Sequence, residues 1–212
     1  MSQWITGITR GIECSAAKSR GLFWLASLYY KSVVKKEIAL AGITERDHAL
    51  CIGGGICPFT AILLHRATGA KVTVIDCCAA CTQKARRVIE RLGLGEHVRV
   101  LCRDGGGEGL SFSEYSVVHF ALQVSPMESV FSRVEKQAEL GTRLLVRRPK
   151  SSLSCLYCAL PGCAAALCPR IVHRFRNIGS TLLYIKGGRL NEEKMAARDT
   201  AGAASSLRPV AA

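Results

Sequence analysis

Between Ala49 and Val146 the chain alternates short β-branched runs with segments of helical periodicity, and this alternation restricts the fold to one class. Strand-like runs occupy Ala49–Ile52, Lys71–Ile75 (ending at Asp76), Val98–Cys102, Tyr115–Ala121 and Thr142–Val146. Helical patterns fill Phe59–Thr68, Ala79–Leu92 and Met127–Leu140 between them. Strands separated by helices of this length connect through right-handed crossovers, so an α/β, doubly wound, mostly parallel sheet covered on both faces is expected. The rhythm then changes. Ile171–Phe175 and Ser180–Lys186 are two strand-like runs joined by Arg176, Asn177, Ile178 and Gly179, which predicts an antiparallel strand at the C-terminal end of the sheet. Ahead of the alternation, Gly21–Ala41 reads as an amphipathic helix. Leu22, Leu25, Leu28, Tyr29, Val33, Val34, Ile38 and Ala39 form its apolar series, with Lys31, Lys35, Lys36 and Glu37 between them.

Hydrophobic residues make up 49% of the 212, enough for one domain with a substantial core. The expected organisation is a helical cap over residues 1–48, a ligand-binding α/β domain over 49–188 and a mobile tail over 189–212. Twenty-nine basic against 16 acidic residues favour acidic partners, a carboxylate- or phosphate-bearing small molecule first. No aromatic residues interleave a basic stripe, which disfavours nucleic acid. Eleven cysteines without a signal-peptide pattern suit a reducing, cytoplasmic setting, and no apolar run reaches the length of a membrane span.

Gly53, Gly54 and Gly55 stand at the first strand-to-helix turn, where glycines let a ligand approach the backbone and the next helix offers free N–H groups. Asp76 follows the second strand, where an acid can accept ribose hydroxyls. Asp104 follows the third, where a carboxylate can meet an adenine amino group. A dinucleotide-binding turn would carry glycine or alanine at the position of Pro58, so a nicotinamide cofactor is disfavoured.

Glycine turn, two strand-end acids and terminal antiparallel strand together resemble the Rossmann-like class I S-adenosylmethionine-dependent methyltransferases. Gly53-x-Gly55-x-x-Pro58-x-Thr60, with Ser116–Leu122 and Leu144–Arg148, is similar to the nicotianamine synthase branch of that superfamily. Cys51 and Cys57 stand where the usual first motif has an acid and a third glycine. The resemblance implies S-adenosylmethionine as cofactor, held by Gly53, Gly54, Gly55, Asp76, Cys77, Asp104, Gly105 and Ala121. It implies a transferase: most simply a methyltransferase acting on a small, anionic metabolite, with aminocarboxypropyl transfer to make a metallophore as the alternative. A non-catalytic binding module is the reading from a different class.

His119 is the expected general base, with Tyr30 and Glu37 reaching the pocket from the N-terminal helix. Gln123, with Ser125 in the same loop, and Arg147 and Arg148 after the fifth strand, are the expected substrate contacts. No metal site is expected. Cys155, Cys158, Cys163 and Cys168 have a spacing that thiolate-bound metal could use, but the Ala, Leu and Tyr between them favour apolar packing. Cys78-x-x-Cys81 opens a helix, a position that can activate a thiol.

Overall fold

The computed structural model describes residues 20–150, 168–174 and 177–187. In chain order the elements are α1 (Arg20–Ala41), β1 (His48–Ile52), α2 (Phe59–Thr68), β2 (Lys71–Asp76), α3 (Ala79–Arg91) and β3 (Val98–Cys102), followed by β4 (Val117–Phe120), α4 (Met127–Gln137), β5 (Arg143–Pro149), β6 (Arg170–Val172) and β7 (Ile178–Ile185). The strands form one sheet in the order β3-β2-β1-β4-β5-β7-β6. β7 runs antiparallel to both its neighbours, and the other strands are parallel.

Alternation along each strand divides the core between two faces. On one, Cys51, Val72, Val74, Val117 and Leu145 pack with Val34 of α1, Ile62 of α2 and Val88 of α3. On the other, Leu50, Ile52, Ile75, Val118, Phe120 and Leu144 pack with Val130, Phe131 and Val134 of α4. The same parity places His119 and Arg147 on the first face, under α1. Helix α2 ends where Gly69 takes a left-handed φ of 78° and its N–H reaches the His65 carbonyl at 2.7 Å.

Several predicted boundaries shift for visible reasons. β5 runs on to Pro149 because the antiparallel β7 pairs Arg147 with Thr181 and Arg148 with Ser180, beyond the end of β4. Arg147 and Arg148 therefore lie within the strand and face opposite sides. Helix α4 stops at Gln137, since Ala138 turns extended, and Gly141 at φ +86° then redirects the chain. Along α1, Leu28 is exposed and Glu37 is buried, the reverse of what helical spacing suggests. The residues around Cys155, Cys158 and Cys163, and the tail from residue 189, lie outside those described.

Gly54 shows how tightly the first turn is packed. A Cβ there would stand 2.1 Å from Val74 Cγ1, a buried methyl in the core of β2. Gly54→Ala is expected to destabilise the protein by about 1–3 kcal/mol through overpacking, read from the shift in its denaturant midpoint. Wild-type stability in this variant would mean that the turn is looser than this contact requires.

Candidate functional site

Where β1 and β4 lie side by side, the chain leaves β1 towards β2 and leaves β4 towards β5. This divergence opens a crevice at the carboxyl ends of the strands. Gly53 and Gly55 line its floor with φ of +83° and +62°, conformations that favour glycine. The Gly55 N–H donates to Asp76 Oδ2 at 2.8 Å and the Cys78 N–H to Asp76 Oδ1 at 2.9 Å. Each carboxylate oxygen is thus fixed by one amide and keeps a second acceptor position. Asp104 is oriented in the same way by the Gly106 N–H at 2.9 Å. Gly53, Gly55, Asp76, Cys77, Asp104 and Gly105 line a cavity of about 260 Å³ between the ends of β1, β2 and β3. A Cβ on Gly105 would meet Ile52 Cγ2 at 3.0 Å and Val130 Cγ1 at 3.1 Å, so a side chain there would press on the cavity wall.

A second cavity of about 100 Å³ lies under α1, lined by Tyr30, Cys51, Gly54, His119, Ala121 and Arg147 among others. Ile52, Gly53 and Gln123 line both cavities, which therefore adjoin across the glycine turn. Tyr30 stacks on Phe59 with ring centroids 5.2 Å apart, joining α1 to α2 beside the opening.

A buried polar network lies behind this second cavity. Arg147, 5% exposed, makes a bidentate pair with Glu37, 2% exposed: Nε to Oε1 and Nη2 to Oε2, both 2.8 Å. Thr181 Oγ1 donates to Glu37 Oε1 at 2.7 Å, which leaves Thr181 to accept from His173 Nε2 at 2.9 Å. His119 Nε2 lies 3.3 Å from Glu37 Oε2 but off hydrogen-bond alignment. Burial alone would push the Glu37 carboxyl up; the Arg147 charge and its two hydrogen bonds, with the His119 ring alongside, outweigh it and hold Glu37 well below the usual carboxylate range. Burial, and then the Arg147 charge, push His119 below its ordinary value, so its ring is neutral at pH 7. Burial raises the Cys51 thiol to about 12 despite the nearby Arg147, which makes it a protonated wall residue.

The structure gathers most of the expected residues, in two groups. Gly53, Gly55, Asp76, Cys77, Asp104 and Gly105 share the larger cavity, with Gln123 and Ser125 at its edge. Gly54 and Ala121, expected with them, face the smaller one, alongside Tyr30, His119 and Arg147. Two expectations need correction. Glu37 does not line the cavity, because Arg147 and Thr181 occupy its carboxylate from behind. Arg148, on the opposite face of β5 from Arg147, is exposed and lines neither cavity. The side chain of Tyr29 lies outside the described residues. Thr181 and His173 escaped sequence reasoning altogether. Their one signal was a polar residue interrupting an apolar strand, which becomes informative only once Thr181 is in register with Arg147.

No protein-family model matches the chain. Among curated proteins it is 27% identical, over 138 residues, to the L-histidine 2-aminobutanoyltransferase of Yersinia pestis; the match covers 64% of this chain and 51% of that protein. The chain thus spans about half the length of the curated relative it matches. Among solved structures, a point mutant of the nicotianamine synthase MtNAS in complex with S-adenosylmethionine superposes with a TM-score of 0.71 at 24% identity, covering 87% of this chain and 76% of that one. MtNAS with MTA and tNA gives 0.72 at 23% identity, over 87% and 74%. An RNA methyltransferase from Salinibacter ruber, in complex with S-adenosyl-L-homocysteine, gives 0.58 at 18% identity, over 73% and 90%. The fold is that of the class I methyltransferases, in the form seen in nicotianamine synthase.

Two outcomes test the network. Glu37→Ala strands the buried Arg147 charge and is expected to cost about 3–5 kcal/mol, whereas Glu37→Leu combined with Arg147→Met recovers most of that loss; denaturant unfolding of the three proteins measures both. The second outcome concerns pH. His119 and His173 are both held below the ordinary histidine value near 6.5, chiefly by burial. Below that pH the unfolded chain takes up protons that the folded site refuses, so stability falls as pH falls. Asp47 and Glu37, held low by their partners, extend the loss into more acid solution. Thermal unfolding at about pH 5.5 should therefore occur at a lower temperature than at about pH 7.5. A flat profile would contradict the neutral assignment of the two histidines.

Proposed function

We propose that this chain is an S-adenosylmethionine-dependent transferase that moves the aminocarboxypropyl group of the cofactor to an amine of a small, carboxylate-bearing acceptor. The observation that carries this reading is the meeting of two unlike cavities across the glycine turn. One presents two oriented carboxylates and the other a neutral imidazole and a guanidinium. Asp76 fits ribose, since each of its oxygens retains an acceptor position facing the cavity floor formed by Gly53 and Gly55. Asp104 fits the exocyclic amine of adenine. The amide-fixed carboxylates and the glycine floor together suit an adenosine.

Bound S-adenosylmethionine supplies a sulfonium-activated carbon, so the protein's share of the work is alignment and removal of one proton from the acceptor. His119 is the residue for the proton. It lines the smaller cavity and is neutral. Its Nε2 lies 3.3 Å from the ionised Glu37 carboxylate, and a neutral imidazole keeps one ring nitrogen able to accept a proton. Glu37 acts through His119 and Arg147 as a positioning residue. Arg147 spends Nε and one Nη2 hydrogen on Glu37, and its remaining N–H donors can hold a carboxylate. Tyr30 and Gln123 complete the wall.

Aminocarboxypropyl transfer is preferred to methyl transfer because the aminobutanoyltransferase and nicotianamine synthase matches cover this chain more fully than does the RNA methyltransferase structure, or match it at higher identity. Incubation with S-adenosylmethionine and candidate amines is expected to release methylthioadenosine. Release of S-adenosylhomocysteine instead would assign methyl transfer. Asp76→Ala is expected to weaken cofactor binding by about 1–3 kcal/mol through lost hydrogen bonds, measured by calorimetry. Unchanged affinity in the folded variant would remove Asp76 from the site.

A further inference from the structure

The larger cavity also holds two thiols that cofactor binding leaves unexplained. One oxygen of Asp76 and the sulfurs of Cys78 and Cys81 all lie within 4.8 Å of one another. They come from six consecutive residues, Asp76-Cys77-Cys78-Ala79-Ala80-Cys81, so little chain ordering is needed to bring them together. Cys78 is the N-cap of α3 and Cys81 lies in its first turn, which points both thiols back towards the end of β2. Both line the cavity with Asp76. All seven described cysteines are reduced.

We propose that Asp76, Cys78 and Cys81 form a binding site for a thiophilic divalent cation of the zinc class, and that its occupancy excludes the adenosine of S-adenosylmethionine. The exclusion rests on the cofactor reading given above; the cation site does not. Two thiolates and one carboxylate are a donor set that zinc accepts, with the fourth tetrahedral position open to water from the cavity. Sulfur donors around tetrahedral zinc stand about 3.8 Å apart, so atoms already within 4.8 Å need only small side-chain rotations to reach it. The outer contacts are in place. Gly55 and Cys78 amides orient the carboxylate, and the Cys81 N–H donates to Cys78 Sγ at 3.3 Å, the kind of contact that steadies a coordinating thiolate. Binding converts two thiols to thiolates and releases their two protons to solvent. The carboxylate that would accept ribose hydroxyls then faces the cation, so the two ligands compete for Asp76.

Cobalt(II) provides the probe, titrated anaerobically into the whole 212-residue chain in a phosphine reductant. Thiolate-to-cobalt charge-transfer absorption should saturate at one ion per chain and be displaced by zinc(II). Cys78→Ser and Cys81→Ser each remove one of the two thiolate donors and are expected to abolish most of the thiolate-to-cobalt absorption at the same cobalt concentration. Serine is itself a good N-cap, so the first variant keeps its helix start; circular dichroism confirms the fold of both. Replacing Cys155, Cys158, Cys163 and Cys168 together by serine should leave the absorption unchanged. Absorption lost in that quadruple variant, or retained in Cys78→Ser and Cys81→Ser, overturns the site. S-adenosylmethionine added to the cobalt-loaded protein should reduce the band as it binds. Simultaneous binding of both, seen by calorimetry, overturns the exclusion. If the metal-free protein gives no heat with S-adenosylmethionine while the cobalt results hold, the cofactor reading fails and the cation site stands.

Discussion

Arg147 stands on β5 just past the end of β4 with its guanidinium buried, and a buried cation is tolerable only beside a carboxylate that it can pair with fully. Glu37, 110 residues earlier in the chain, supplies it. This pair fixes α1 against β5 and β7, and with it the roof of the smaller cavity. A second anchor works along the same face of β5. Arg143 donates to the Ala41 and Gly42 carbonyls at 2.8 and 3.0 Å and pairs with Asp47, so the end of α1 and the turn into β1 are held by the same strand. Arg143, Leu145 and Arg147 share one parity. The strand thus alternates polar anchor, apolar core and polar anchor beneath a single helix.

The charge arrangement of the crevice follows from that constraint. Carboxylates stand at the ends of β2 and β3, and the imidazole and guanidinium on β4 and β5, with the glycine turn between. A ligand spanning the turn meets hydrogen-bond acceptors at one end and donors at the other. Arg147 is neutralised by Glu37, so what it offers a ligand is directed N–H groups more than net charge. The thiols of Cys78 and Cys81 add soft donors to the acceptor end.

The doubly wound topology was legible because period-two runs and helical runs alternate cleanly, and because glycine at 53 and 55 and acids at 76 and 104 fall at the ends of consecutive strands. Those positions are set by local geometry: a turn that needs positive φ and a strand end that needs polar termination. Glu37 was harder. Helical spacing places it among Lys31, Lys35 and Lys36, and only the packing of α1 over β5 and β7 distinguishes the glutamate from the lysines. Arg148 failed for a related reason. Two adjacent arginines look alike in sequence, and strand parity sends one to the network and the other to solvent.

Sequence by itself determined the order of strands and helices, the glycine turn and the two strand-end carboxylates, since each depends on residues within a few positions of one another. Tertiary structure alone decided that Glu37, His119, Arg147, Thr181 and His173 would meet, and that two cavities of opposite chemistry would share Gly53 and Gln123. The physical reason is sequence separation. A buried polar group must find its partner somewhere in the fold, but nothing local to Arg147 says whether that partner lies on the next strand or on a helix more than a hundred residues away.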